Sequence, residues 1–155
     1  MKKGPPRVLA IDFGATRIGL AISDGQKMFA TPLENITGAK SMADAIERIK
    51  ALLATCAAQH GWEVDEFVVG LPLSMDGSDS ARTTVTREFA QKLREQVPVT
   101  VALLDERLTS VQAERFLMQT NYTRKKRSQF VDRIAAAILL ETYLSRKAGD
   151  HARGS

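Results

Sequence analysis

The chain has a single cysteine, Cys56, and only two histidines, His60 and His151. One thiol cannot form an internal disulfide, and its place in an apolar helical pattern makes Cys56 a packed core residue rather than a reactive one. Neither histidine falls within the motifs described below, so a zinc site has no evident ligands. No apolar run approaches the roughly 20 residues that cross a bilayer. Heptads, internal repeats and low-complexity tracts are also missing, and with no dedicated apolar face left over, a monomer or weak dimer is expected. The amino terminus, MKKGPP, is basic but leads directly into a strand-like run, without the small-residue cleavage site of a signal peptide. A cytoplasmic protein with no membrane contact is therefore expected.

What is present suits a single globular domain. The 155 residues are 44% hydrophobic and 26% charged, enough to bury roughly two-thirds of the surface that the unfolded chain exposes. Residues 1–149 are expected to form that domain and 150–155 a short polar tail. The net charge of +4 permits an anionic partner, and where the charge sits matters more than its sum.

Residues 7–11, 18–23 and about 28–36 read as three antiparallel strands separated by turns at Gly14 and Gly25. Apolar positions Met42, Ile46, Ile49, Leu53 and Cys56 then recur at helical spacing, with Ser41 as N-cap and Gly61 as stop. Two strand-helix steps follow. Phe67–Leu71 is a continuous apolar run of the kind found in buried parallel strands, and the loop PLSMDGSDS leads to a helix with Val85, Phe89 and Leu93 on one face. Val99–Leu104 repeats the strand. Thr109 and Gln112 have capping-box spacing before a helix through Met118, and a last helix spans about Ser128 to Lys147, before Gly149. Three hairpin strands followed by two crossover strands predict a mixed five-stranded sheet with helices on both faces. Ligands of such sheets gather at the carboxyl ends of the parallel strands. That edge would carry Asp12, Gly70 with Pro72, and the DER stretch at 105–107.

The acids near that edge come from distant parts of the chain. Asp12 closes the first strand, Asp105 and Glu106 close the Val99 strand, and Asp132 stands in the first turn of the last helix, beside a buried stripe of Val131, Ile134, Ala135 and Ile138. Converging carboxylates repel one another unless hard cations lie among them, and Mg²⁺ or Mn²⁺ takes such oxygen ligands. Paired metals of this kind serve in-line phosphoryl displacement. Alternation along a strand sends Asp105 and Glu106 to opposite faces, so only one of them can be a ligand. Alone, Asp12 could as well be a turn-initiating aspartate and Asp132 a helix-dipole partner.

Four stretches, LAIDFGATRIGLAISD, VVGLPLSMDGS, LLDERLTSVQAER and VDRIAAAILLETYL, together resemble the YqgF/RuvX family, a bacterial branch of the ribonuclease H-like nucleases related to the RuvC resolvase. The resemblance runs from about Arg7 to Leu144, and four motifs in order are specific where one would be weak. It implies an α/β ribonuclease H-like domain and a nuclease active site of Asp12, an acid of the DER motif, and Asp132. Glu106 is preferred there, with Asp105 as the alternative. The family is assigned two roles, maturation of the 5′ end of pre-16S ribosomal RNA and Holliday junction resolution. Of these the first is preferred, since cutting an RNA end needs one site where resolving a junction needs two. The family frequently has a basic residue where this chain has Thr16, although Arg17 follows.

The remaining motifs concern structured nucleic acid, either precursor ribosomal RNA or branched DNA. GLPLSMDGS reads as a backbone device in which Gly70 allows close approach of a chain or phosphate, Asp76-Gly77 makes a turn, and Ser74 can donate to phosphate. Arg124, Lys125, Lys126 and Arg127 form a basic run just ahead of the last helix and suit phosphate-backbone contact. Only Tyr122 and Phe130 lie nearby, so base stacking there is minor. Two rivals need weighing. DFGATRIGLAISD also resembles the first phosphate-binding hairpin of the actin, sugar-kinase and Hsp70 ATPases, but these duplicate the core, for which the chain is too short. A non-catalytic nucleic-acid-binding module is the other.

Overall fold

The computed structural model describes residues 4–109 and 124–154, with the side chains of all of these but 124–133 and 150–154. Strand β1 (Arg7–Phe13) is antiparallel to β2 (Arg17–Ser23), which also pairs antiparallel with two short strands, β3 (Ala30–Pro32) and β4 (Ile36–Thr37). On its other side β1 runs parallel to β5 (Val64–Leu71), and β5 parallel to β6 (Thr100–Asp105). The order across the sheet is β3-β2-β1-β5-β6, with β4 beside β2. This is the mixed α/β architecture expected, with six strands where five were predicted. The predicted 28–36 strand is divided into β3 and β4; Pro32 ends β3 at a position opposite Ala21 whose nitrogen faces away from β2, and Leu33 N–H still donates to the Leu20 carbonyl at 2.8 Å.

Helix α1 (Met42–His60) has the predicted ends. Ser41 Oγ accepts from the Asp44 N–H at 3.0 Å, and Gly61, at φ 70°, closes the helix in the left-handed conformation. Helix α2 (Ala81–Gln96) starts with a capping box between Ser80 and Thr83. Phe89 and Leu93 are buried as predicted, but Val85 is 44% exposed. Thr83 and Thr86 take the inward positions instead, their hydroxyls donating to the Pro72 and Arg82 carbonyls, which makes polar residues tolerable there. A 3₁₀ turn (Glu106–Thr109) follows β6, and the last helix, α3, spans Arg124–Gly154. It therefore starts four residues before the predicted Ser128 and runs through Gly149. The basic run 124–127 is the first turn of α3, not a loop ahead of it. The helix predicted between Thr109 and Met118 lies outside the described residues.

Alternation along the strands divides the core in two. Leu9, Ile11, Ile18, Leu20, Ile22, Phe67 and Val69 face α1 and α2, where they meet Ile46, Ile49, Phe89 and Leu93. On the other face Val8, Ala10, Ala21 and Val68 meet Ile134, Ala137, Ile138 and Leu140 of α3. The sheet residues on this second face are small, so α3 lies close: a β-carbon at Gly19 would stand 3.6 Å from Ala136 Cβ. Ala135, expected in the buried stripe, is only half-buried, while Ala136 and Ala137 are buried. At the edge away from the acids, buried Glu66 accepts from the Tyr143 hydroxyl and from Lys147 Nζ at 2.9 and 3.0 Å. That clamp pins the later turns of α3 to β5 and so fixes the register of the helix that carries Asp132.

Candidate active site

The parallel strands end on one edge, with Ile11 opposite Val69 and Leu71 opposite Asp105. Asp12 follows Ile11, and its side chain takes the α3 face by alternation with Ala10. Gly14 then closes a tight turn, its N–H donating to the Arg17 carbonyl at 3.1 Å, and a β-carbon at Gly14 would meet that same oxygen at 2.6 Å. Only glycine fits there.

Glu106 lies against Asp12 and hydrogen-bonds it, and a β-carbon at Gly70 would come within 2.7 Å of Glu106 Oε1. Gly70 thus makes room for an acid of the same chain, not for a separate chain or a phosphate as its sequence context suggested. Burial, then the Asp12 charge and the hydrogen bond to it, push Glu106 up to about 7, against a partial downward pull from Arg82. Near neutral pH Glu106 is thus about half protonated, and in its protonated form it can donate to Asp12.

Asp105 leaves the strand in another direction. Arg107 grips both its oxygens, with Nη2 to Oδ2 at 2.7 Å and Nε to Oδ1 at 3.0 Å, and the Arg107 hydrogen bonds hold Asp105 below the usual carboxylate range. The same guanidinium donates to the Met75 carbonyl at 3.1 Å. Asp105 and Arg107 thereby tie the end of β6 to the 72–78 loop. Inside that loop Asp76 accepts from the Ser78 hydroxyl at 2.6 Å, Gly77 adopts φ 87°, and the Ser74 backbone bonds Ser78 and Gly77. Ser74 is half-buried in this turn. Arg17 is exposed at the start of β2, on the rim of a cavity of about 210 Å³ that also borders Thr16, Lys40 and Ser41.

Asp132 and the basic residues Arg124, Lys125, Lys126 and Arg127 lie on α3, and their side chains are outside the described residues. Among the described residues no group of three acids, histidines or cysteines could hold a metal. The described acids that meet, Asp12 and Glu106, nevertheless suit a hard divalent cation: all donors are oxygens, and a cation there would compete with the proton that Glu106 binds more tightly than usual. Arg82 was not found from the sequence. It stands near the start of α2, a helix with no acid in its first turn, and a cation there opposes the helix dipole. That local misfit was the available signal.

Three parallel strands ending beside a pair of interacting carboxyls define a mixed α/β protein with an acidic site at the carboxyl edge of its sheet. The family model described as RuvX, Holliday junction resolvase, matches residues 6–146, and the chain belongs to that family. A relative from Protochlamydia amoebophila, named provisionally as a pre-16S rRNA nuclease, is 44% identical over 147 residues, covering 94% of this chain and 97% of its own. A relative of the same name from Koribacter versatilis is 40% identical, covering 93% and 90%. Among solved structures, Thermus thermophilus RuvC in complex with a Holliday junction substrate aligns with a TM-score of 0.49 at 16% identity, covering 92% of this chain and 96% of that one. No helix among the described residues is long and apolar enough to cross a membrane.

Proposed function

We propose that this protein is a metal-dependent nuclease that hydrolyses phosphodiester bonds in the cytoplasm and trims the 5′ end of pre-16S ribosomal RNA. The observation that carries this reading is the Asp12–Glu106 pair at the carboxyl edge of the sheet, with Glu106 pushed up to about 7. Asp12, Glu106 and Asp132 would hold Mg²⁺ or Mn²⁺. The metal, when bound, supplies a polarised water and charge to offset the leaving oxygen. The chain's own residues do the rest. Glu106 must release its proton for the site to load, Gly70 leaves it room to sit beside Asp12, and Arg107 keeps Asp105 out of the site. Arg17, Ser74 and the run 124–127 are assigned to the phosphate backbone, which positions the strand without reading its sequence.

Junction resolution is the second reading, favoured by the family's description. It needs two symmetric cuts and so a stable two-fold dimer, whereas a monomer or weak dimer suffices for the RNA. Side-by-side cleavage of a precursor RNA carrying the 5′ leader and of a synthetic four-way junction, with Mg²⁺ or Mn²⁺ and sedimentation at micromolar protein, decides between them. RNA cleavage by a monomer supports the first reading. Paired symmetric nicks in the junction by a dimer that ignores the RNA would replace it with the second, and binding of either substrate without metal-dependent cleavage would leave a binding module.

A further inference from the structure

On the far side of the Gly14 turn from the cavity that Arg17 borders lies a second, mostly apolar groove of about 220 Å³. Phe13 and Ala15 form one wall, and Ala81, Val85 and Thr86 of α2 the other, with Arg82 at the rim. The Phe13 ring is fixed by stacking on Phe89, with centroids 4.1 Å apart and planes within 5°. Val85 is 44% exposed here although the helical pattern would bury it. Phe13, Ala15, Ala81 and Val85 line one continuous apolar groove with a charged residue beside it, and apolar surface with a polar border is the form that ligand-binding grooves take.

The charges around the groove select the occupant. Arg82, which lines the groove, also acts on Glu106, so groove and carboxylate pair lie at the same edge of the sheet. Asp12 and Ala15 are three residues apart, a separation of at most about 11 Å along an extended chain and less across a turn. Across the turn, the neighbouring cavity is bordered by the cations Arg17 and Lys40. An apolar slot with Arg82 in its lining and the cations Arg17 and Lys40 in the neighbouring cavity complements a nucleotide, whose base is flat and poorly hydrated on its faces and whose phosphates are anionic. The volume suits one base and is too small for a base pair.

Resting on the nuclease reading above, we infer that the groove between Phe13–Ala15 and α2 holds one unpaired nucleobase of the substrate strand, next to the phosphate presented to Asp12 and Glu106. An enzyme that cuts beside a base seated out of the stack selects unpaired strands, because extracting a base from a duplex costs a few kcal/mol. The groove thus acts as a specificity determinant for single-stranded RNA over fully paired junction arms. It takes no part in the chemistry.

The test uses a short single-stranded RNA with 2-aminopurine placed at each position in turn, its fluorescence followed as the full-length protein is added. Wild type should change the emission at one position only. Val85→Asp puts a negative charge into the apolar groove and Val85→Lys a longer, positively charged chain, both at an exposed site, so melting temperatures should stay close to wild type. Both should abolish that positional change, and Val85→Asp should weaken binding about five- to hundredfold, the range of one base contact. In Val85→Lys the added charge restores attraction for phosphate but not the positional change, which separates groove occupancy from electrostatics. Emission that changes equally at every position, persists in both variants, or never changes would overturn the inference. Failure of the nuclease reading is distinct: a position-specific change with no metal-dependent cleavage would leave the groove and remove the enzyme.

Discussion

The Glu106 carboxyl occupies the space that a side chain on Gly70 would fill: a β-carbon there would lie 2.7 Å from Oε1, 3.0 Å from Cγ and 3.3 Å from Cδ. The strand ends of β5 and β6 are thereby shaped for each other, and the absence of one methyl group decides where an acid points. Gly70→Ala should push the Glu106 side chain away from Asp12. Because the crowded atoms belong to a flexible side chain, folding should suffer little, with the melting temperature within a few degrees of wild type. Calorimetric Mn²⁺ affinity and cleavage rate should both fall tenfold or more. Wild-type metal affinity in Gly70→Ala would show that the acid's placement does not depend on this glycine.

Glu106 also makes the metal-free protein sensitive to pH. Its folded value, about 7, lies above the usual 4.5, so the folded state holds the proton more tightly than the unfolded one. The resulting stabilisation is fully present below pH about 4.5 and is lost as pH rises through about 7. At roughly 1.4 kcal/mol per unit, discounted because the carboxyl keeps some contact with water, the loss is about 1–2 kcal/mol. In chelator, wild type should lose that stability between pH 5 and 8. Glu106→Gln should lack this part of the pH dependence and be the more stable of the two at pH 8. Metal-supported cleavage should rise over the same interval, since cation and proton compete for one carboxyl. Parallel stability profiles for the two proteins would exclude the raised proton affinity of Glu106.

Asp12→Asn and Asp132→Asn should each abolish cleavage while leaving RNA binding within a few-fold of wild type. At pH 8 and above, where Glu106 is mostly ionised, Asp12→Asn should also match or exceed wild-type thermal stability in chelator, because it then removes one of two like charges. Undiminished Mg²⁺- or Mn²⁺-dependent cleavage by either purified variant would remove that residue from the site.

Asp105 and Glu106 are adjacent acids for which opposite results are expected. Asp105→Asn breaks the charge pair with Arg107 that also engages the Met75 carbonyl, so the 72–78 loop should become the first site of limited proteolysis while Mn²⁺ affinity changes less than threefold. Glu106→Gln should leave the proteolytic pattern unchanged and lose metal affinity. Arg107→Lys should resemble Asp105→Asn, since an ammonium cannot reproduce the two-pronged contact.

The basic first turn of α3 is tested by salt. Replacing two of Arg124, Lys125, Lys126 and Arg127 by alanine should weaken RNA binding similarly across sequences and flatten the slope of log K against log salt by about 0.7–0.9 per lost contact. An unchanged slope would make the run a solvated helix end.

Much of the fold was legible in local pattern. The apolar run of β1, the 3.6-residue stripe of α1 and its caps Ser41 and Gly61 need only neighbouring residues to be satisfied, and each stands in the structure where the pattern put it. The pattern failed where distant groups set the terms. Val85 looked like a core residue, but Thr86 could be buried because its hydroxyl finds the Arg82 carbonyl. The third strand looked continuous but is divided into β3 and β4, and the basic run, placed by its pattern just ahead of the last helix, is part of that helix.

The site divides in the same way. The sequence by itself determined that Asp12 and the DER acids stand at strand ends, because strand ends are set by local composition and turn residues. Which of Asp105 and Glu106 turns toward Asp12 was decided only in three dimensions. Parallel pairing places Leu71 beside Asp105, Gly70 leaves a space one side chain wide, and Arg107 reaches both Asp105 and the Met75 carbonyl, 32 residues away in the chain. The raised proton affinity of Glu106 has the same origin, since burial and a second carboxyl are properties of the folded neighbourhood and are absent from any short stretch of sequence.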